Sequence, residues 1–334
     1  MNLDLRTYST FAIGGIAHKV FEIREEEDCK KINSYSQYIN KSLIIIGEGS
    51  NSIFANTTDK YIIALMRIMS IEILEQQENT DVLIKAYGGE SWDAVVAWSI
   101  DHGLSGLEAL SGIPGTAGSA PIQNIGAYGS ELSNTLVEIE VFDRTKDIFT
   151  LLTHEQCCFN YRDSIFKKNP DRYIILSITL KLSMKPASIP QYKDVIDFFV
   201  SNPNPTTKEI RDAIIQIRNN KIPDYKKYPN CGSFFKNPII TNKHLKSLTE
   251  KYSAIPSFEI SDGTHKLFAG WLIEHVDYQK AQTDTIVFNE KNKLILINKN
   301  NGTFEDLQFV ISHITKLVQD AYEVTLEVEP NIFY

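Results

Sequence analysis

The stretch Ser111–Gly129, SGIPGTAGSAPIQNIGAYG, limits the fold more than any other part of the chain. It holds five glycines and two prolines in nineteen residues and no charged side chain. Such a run builds neither a stable helix nor a good strand. Ordered loops longer than about 12 residues usually serve a function, and this one lacks the charge that keeps a segment disordered. Its small side chains let the backbone come close to something large and flat. Gln123 and Asn124 add amide donors and acceptors suited to a ring edge. A ligand-binding loop is therefore favoured over a plain long surface loop.

A second glycine segment, Ile46-Gly47-Glu48-Gly49-Ser50-Asn51, follows the strand-like run Leu43–Ile46. Glycines at a strand end let main-chain N–H groups face a phosphate with no Cβ in the way. The spacing is not the dinucleotide fingerprint, because position 52 is Ser52, and no G-K-[ST] ending makes it a P-loop. Taken alone, it is better explained as an ordinary tight turn.

The scaffold around these loops reads as mixed α and β. Ile71–Leu74, Val82–Tyr87, Leu136–Phe142, Ile148–Leu152 and Tyr173–Leu182 read as strands. The alternation in the last of these predicts a sheet face open to solvent on one side. Ser91–His102 reads as a helix with Ser91 as N-cap and Gly103 after its end. Four prolines punctuate 186–206, the pattern of an insertion and linker. Thr206 and Glu209 then form a capping box ahead of Ile210, Ala213, Ile214 and Ile217. Strands at Thr285–Phe288 and Lys293–Ile297, a helix at Thr303–Tyr322 and a strand at Val324–Val328 complete a second α/β unit. For 334 residues, at about 150 per domain, two domains are expected.

Other chemistries are disfavoured. The net charge of −8 argues against a nucleic-acid or anionic-membrane surface, so an anionic ligand would need positive charge gathered locally. Cys29, Cys157, Cys158 and Cys231 contain no C-x-x-C pair, and reduced thiols in a cytoplasmic protein are expected. The seven histidines show no ligand spacing, and no metal is expected. The opening MNLDLRTYSTFAIGG is unlike a signal peptide. No run approaches the roughly 18 apolar residues of a membrane span.

Four further segments carry candidate chemistry: Tyr161-Arg162-Asp163-Ser164, Asn220-Lys221-Ile222-Pro223, Asn230-Cys231-Gly232-Ser233-Phe234-Phe235-Lys236-Asn237 and Leu326-Glu327-Val328-Glu329-Pro330. By pattern alone Arg162 fits a surface arginine paired with Asp163, and Ser233 fits a turn serine. No Ser-His-Asp set or G-x-S-x-G elbow accompanies Ser233. Alternation would place Glu327 and Glu329 on one face of a strand, and spacing cannot separate them.

With the glycine run, IIIGEGSNSIF before it and YRDSIFK after it, the chain strongly resembles the UDP-N-acetylenolpyruvoylglucosamine reductase (UDP-N-acetylmuramate dehydrogenase) family. The matched landmarks run from Ser9-Thr10-Phe11 to Glu329. The resemblance implies an α+β fold: a two-lobed FAD-binding region of the vanillyl-alcohol-oxidase/p-cresol-methylhydroxylase type, then a smaller C-terminal α/β substrate domain. It places the FAD-binding region at 1–185 with a split near 66, the insertion and linker at 186–205, and the substrate domain at 206–334. It implies FAD as cofactor, NADPH as co-substrate, and reduction of an enolpyruvyl UDP-sugar in peptidoglycan synthesis by a cytoplasmic enzyme, expected to be a monomer. Arg162, Ser233 and Glu329 fall on the catalytic positions. The cofactor positions are Gly47, Gly49, Ser50, Asn51, Pro114, Gly115, Gly118, Ser119, Ala120, Gln123, Asn124, Gly126 and Ala127. Substrate contacts are implied for Tyr128, Tyr161, Tyr192, Lys221 and Asn237. Another flavoprotein oxidase of the same fold, or a silent flavin- or UDP-sugar-binding module, is the alternative. Neither would require all three catalytic positions to carry competent side chains.

Overall fold

The computed structural model describes residues 3–17, 19–56, 60–76, 81–252, 255–260 and 263–334. The chain forms two units that interleave in sequence. One gathers 17–50 and 58–220; the other gathers 4–16, 51–57 and 221–334.

Two sheets build the first unit. A parallel sheet has the order Val20–Ile23, Tyr61–Met66, Ser42–Ile46. Its middle strand is apolar and buried from Ile62 to Met66, as a parallel strand covered on both faces requires. The helix Glu26–Tyr38 connects the two outer strands and buries Asn33 and Ser36 together with Cys29 and Ile32. The second sheet is antiparallel, in the order Ile148–Thr153, Leu136–Asp143, Tyr173–Ser183, Asp81–Tyr87, Ile71–Gln76.

The strand Tyr173–Ser183 departs from the open-faced expectation, because Ile174 to Leu180 are all buried. Ile174 and Leu176 join Phe142 in a core shared with Ile62 and Ala64 of the parallel sheet. Ile175, Ile178 and Leu180 pack the other way, with Trp92, Val95 and Val96 of the helix Trp92–Asp101. The strand is the partition between two cores.

Polar groups also join the two sheets. The buried Arg144 donates from Nε to Asn33 Oδ1 (3.1 Å) and from Nη2 to Ser36 Oγ (2.8 Å), and its Nη1 meets Asp171. Asn33 returns a bond from Nδ2 to the Arg144 carbonyl at 3.2 Å. Next to it Arg172 grips the buried Asp143, Nη2 to Oδ2 at 2.7 Å.

The unit boundary differs from the expected start of the second domain at 206. The helix Thr207–Lys221 begins at the expected Thr206–Glu209 box. Its buried face (Ile210, Ala213, Ile214, Ile217) packs on Val195 and Phe199, with Tyr128, Ala187 and Ile189 at the margin. Those partners all lie in the first unit, so the whole insertion belongs there.

In the second unit, the helix Phe304–Tyr322 buries Phe304, Leu307, Val310, Ile314, Val318 and Tyr322, a stripe at helical spacing. It packs in one core with Leu272 and Ile273 of the helix Ala269–Glu274 and with Phe11, Ile13 and Ile53 from the amino-terminal part of the chain. The expected strand Val324–Val328 is not a ladder. Val324 and Leu326 are buried from an irregular segment, and only Val328 makes a bridge, to Phe235. The alternation there reflects burial of one side of the segment. The terminal strand is Asn331–Phe333, paired in parallel with Ser52–Phe54. Among the described residues, no helix is long and apolar enough to cross a membrane.

Candidate functional site

The two glycine segments, 64 residues apart and more, meet in the first unit. Glu48 Oε2 accepts the Gly115 N–H at 2.8 Å, and Ser50 Oγ donates to the Pro114 carbonyl at 3.0 Å. A Cβ on Gly47 would fall 2.3 Å from Thr116 Oγ1, and one on Gly118 would fall 2.9 Å from the Gly88 carbonyl oxygen. Neither gap admits a side chain, so both glycines are required by the contact itself. The Ser91–Trp92 helix start fastens this surface. The Ser91 hydroxyl makes no cap bond; instead Trp92 N–H donates to the Gly115 carbonyl (2.8 Å) and Ala117 N–H to the Glu90 carbonyl (2.8 Å). The result is one continuous main-chain surface assembled from Gly47–Ser50 and Pro114–Ala120.

Several predicted cofactor residues turn out to build that surface with their side chains. Ser119 Oγ donates to the Thr116 carbonyl and accepts its N–H, at 2.8 and 2.9 Å. Asn124 departs from the expected ring-edge role. It is buried with φ +45°, gives Nδ2 to Glu131 Oε2 at 2.7 Å, and accepts the Ser133 N–H at 3.0 Å. Its amide locks the loop end. Gln123, Gly126 and Ala127 follow on half-buried backbone. Gly49 adjoins Ser50 in the first unit, whereas Asn51 belongs to the second, where its carbonyl accepts the Asn331 N–H at 2.9 Å.

Arg162 sits at the other end of the same loop. Its Nη2 donates to the Gly126 carbonyl at 3.0 Å, and its guanidinium lies 5.4 Å from the Tyr161 ring centroid. The turn Asn160–Asp163, closed by reciprocal main-chain bonds of 3.1 Å, holds Arg162 at φ +54°. A left-handed conformation is uncommon for a long side chain and tends to persist where surroundings and function impose it. Asp163, expected as the partner of a surface arginine, pairs with Lys168 at 2.9 Å.

Ser233 and Glu329 come together in the second unit. Phe234 N–H donates to the Leu294 carbonyl (2.8 Å), and Glu329 N–H to the Phe234 carbonyl (2.9 Å). Ser233, half-buried, bridges Ile295. Gly232 before it has φ +73° with nothing within 4 Å of a would-be Cβ, so the turn itself borders open space. The two glutamates that spacing could not separate are separated here. Glu327 is exposed and paired with Lys236, whereas Glu329 is 8% exposed. Burial pushes the Cys231 thiol up, and the Glu329 carboxylate pushes it further, which places that carboxyl close to the serine segment.

The predicted substrate residues fall into two groups. Tyr128, at φ +50°, meets the Tyr192 ring edge-on at 5.3 Å between centroids. Lys221 ends the helix Thr207–Lys221. Asn237 instead caps a helix: its Oδ1 accepts the Ala269 N–H at 3.0 Å. A residue the motifs missed stands with the tyrosines. Arg218 interacts with the Tyr128 hydroxyl; burial holds its guanidinium below the usual arginine range, and burial likewise raises Tyr128. Its place three residues before Lys221, one helical turn away, was the available signal. Beside it Asp93 binds Arg211 through two bonds, Nη1 to Oδ1 at 2.6 Å and Nη2 to Oδ2 at 2.8 Å.

The family model "UDP-N-acetylenolpyruvoylglucosamine reductase, C-terminal domain" matches residues 224–333, and "FAD binding domain" matches 17–151. The chain is 35% identical over 334 residues to the UDP-N-acetylenolpyruvoylglucosamine reductase of Aliivibrio fischeri, covering all of this chain and 94% of that protein. It is 37% identical over 328 residues to that of Pasteurella multocida, covering 98% and 94%. The crystal structure of the Thermus caldophilus reductase superposes with a TM-score of 0.65 at 19% identity, over 100% of this chain and 98% of that one, which shows a shared fold. With 35% and 37% identity over nearly the whole of both chains, the chain belongs to the UDP-N-acetylenolpyruvoylglucosamine reductase family.

Proposed function

We propose that Arg162, Ser233 and Glu329 are the catalytic groups of this reductase and that the joined glycine segments hold its FAD. The chain is an FAD-dependent oxidoreductase that reduces the enolpyruvyl group of UDP-N-acetylenolpyruvoylglucosamine to UDP-N-acetylmuramate, a step of peptidoglycan synthesis, with NADPH as co-substrate. One observation carries the site assignment. Two distant glycine segments close into a single main-chain surface, and Arg162 is bonded to the end of that surface at Gly126. Where Gly47 and Gly118 pack too closely for a Cβ, the joined segments present bare backbone and small side chains against which a large flat group can lie, so the residues present fit the cofactor. Gly47, Gly49, Ser50, Asn51, Pro114, Gly115, Gly118–Ala120, Gln123, Asn124, Gly126 and Ala127 would hold it, with Asn124 acting through the loop it locks.

Bound FAD supplies the hydride chemistry. The chain's own groups do the rest. Arg162, always charged, offers a fork to the substrate carboxylate and stabilises negative charge that develops on the enolate oxygen. Ser233 Oγ hands a proton to the vinyl carbon that does not receive hydride. A serine hydroxyl is a very weak acid, so its surroundings must stabilise the alkoxide left behind. Glu329 adds a desolvated carboxyl next to the proton donor. Tyr128, Tyr192, Arg218 and Lys221 gather aromatic faces and positive charge for the UDP diphosphate, with Tyr161 beneath Arg162 and Asn237 supporting the serine segment. We place the enzyme in the cytoplasm as a monomer acting on small molecules; its net charge of −8 speaks against nucleic acid.

The reading is tested by running the reaction in heavy water with NADPH and analysing the product by mass. Solvent deuterium is expected at the carbon that Ser233 protonates, with one UDP-N-acetylmuramate formed per NADPH consumed. No NADPH-dependent product, or a product without solvent deuterium, would contradict it.

A further inference from the structure

Asp93 lies in the first turn of the helix Trp92–Asp101, outside every motif discussed above. Its carboxylate gathers three donors from two different places. Arg211, on the helix Thr207–Lys221, supplies Nη1 and Nη2 at 2.6 and 2.8 Å. Gly112, at the head of the glycine loop, supplies its N–H at 2.6 Å. Gly112 itself lies against Arg218, whose Nε would be 3.4 Å from a Cβ at that position. Neighbouring residues of the same helix start fix the loop further along: Trp92 Nε1 donates to the Leu110 carbonyl at 3.0 Å, and Trp92 N–H to the Gly115 carbonyl at 2.8 Å. The carboxylate also feels the charge of Arg218.

These bonds make a chain of command from loop to arm. The helix Thr207–Lys221 carries Arg218 and ends in Lys221, and its apolar face holds the segment that bears Tyr192. A bidentate carboxylate–guanidinium pair fixes orientation as well as distance. Arg211 and Arg218 are seven residues apart, two turns of one helix on the same face. Fixing Arg211 therefore fixes the rotation and height of Arg218 relative to the glycine loop.

We propose that Asp93 is a positioning residue for nucleoside-diphosphate binding: through Arg211 and Gly112 it sets the register of the Arg218–Lys221 helix against the flavin loop. It touches neither substrate nor cofactor. This rests on the reading that Tyr128, Tyr192, Arg218 and Lys221 take the diphosphate. Asparagine at position 93 keeps the shape and an acceptor for Gly112 but loses the charged two-point grip on Arg211.

The test uses the FAD-loaded enzyme and UDP as the probe, with binding followed by calorimetry. Asp93→Asn is expected to weaken UDP binding about tenfold, and Arg211→Gln to do the same. The double variant is expected to be no weaker than either single one, because both remove one interaction. Asp93→Glu is expected to restore most of the affinity, and FAD content per chain to stay at the level of the unaltered enzyme in all four. Unchanged UDP affinity in both single variants would overturn the proposal, as would additive losses in the double one. Lost FAD with intact UDP affinity would overturn it too, by making Asp93 a cofactor-side residue. If the unaltered holoenzyme does not bind UDP, the diphosphate reading itself fails first, which is a distinct result. Arg211→Gln keeps the question open to measurement if Asp93→Asn does not fold.

Discussion

Glu327 and Glu329 show what a side chain's surroundings add to its identity. One faces solvent with Lys236 as partner; the other is buried beside the segment of Ser233 and Cys231. An exposed ion pair contributes at most about 1 kcal/mol. Glu327→Gln should therefore leave turnover within about twofold, whereas Glu329→Gln should slow it by roughly 10²-fold or more, the scale of a lost group that acts in the transition state. Steady-state kcat measured on both variants checks this, and equal effects would remove Glu329 from the catalytic set. Ser233→Ala separates the half-reactions. Flavin reduction by NADPH should stay nearly intact, while reoxidation by the enolpyruvyl substrate slows roughly 10²–10⁴-fold. Stopped-flow absorbance reads both, and equal loss in both would reject the proton-donor role. At this scale the motifs singled out Arg162 and Ser233 as candidates. For Arg218 the sequence offered only the spacing to Lys221, and on Asp93 it was silent; the meaning of both comes from partners 19 to 125 positions away along the chain.

The helix Glu26–Tyr38 and the glycine loop show what elements conceal. That helix went unread because it buries Asn33 and Ser36, polar residues that no hydrophobic pattern selects, and does so to bind Arg144. By contrast, the helices Trp92–Asp101 and Phe304–Tyr322 carry clear apolar stripes and were legible within a residue or two. The Asp143–Arg172 pair beside Arg144 predicts an acid sensitivity. Burial alone would raise the Asp143 carboxyl, but the hydrogen bonds from Arg172 and Thr145 outweigh it and hold the group at about 2. A carboxyl held below its unfolded value stabilises the fold fully above about pH 4 and loses that contribution as pH falls towards 2. The amount is about 2 kcal/mol. Urea midpoints at pH 6 and pH 2.5 should fall less for Asp143→Asn than for the unaltered protein; identical pH dependence would contradict the assignment. In the loop, Gly118→Ala drives a Cβ against the Gly88 carbonyl. Overpacking against backbone costs about 1–3 kcal/mol, and FAD retention after gel filtration should drop clearly. Full retention would show that this contact does not shape the flavin surface.

Across the whole molecule, the two-unit organisation was readable as a change of pattern near residue 200, but the joint was not. The insertion helix carries its own capping box, which looks like the start of a new domain, yet its apolar face belongs to Val195 and Phe199. Parallel pairing of Ser52–Phe54 with Asn331–Phe333 likewise cannot be seen in local sequence, because its partners stand some 280 residues apart. The catalytic candidates follow that division, Arg162 in one unit and Ser233 with Glu329 in the other. The central claim is that a main-chain surface made from two glycine segments carries a flavin that takes hydride from NADPH and gives it to an enolpyruvyl sugar nucleotide. An anaerobic absorbance titration of the purified protein tests it most directly. The account predicts a bound flavin spectrum that bleaches with one equivalent of NADPH and returns on adding UDP-N-acetylenolpyruvoylglucosamine. A protein that stays colourless after incubation with FAD, or a bleached flavin that the substrate does not reoxidise, would contradict it.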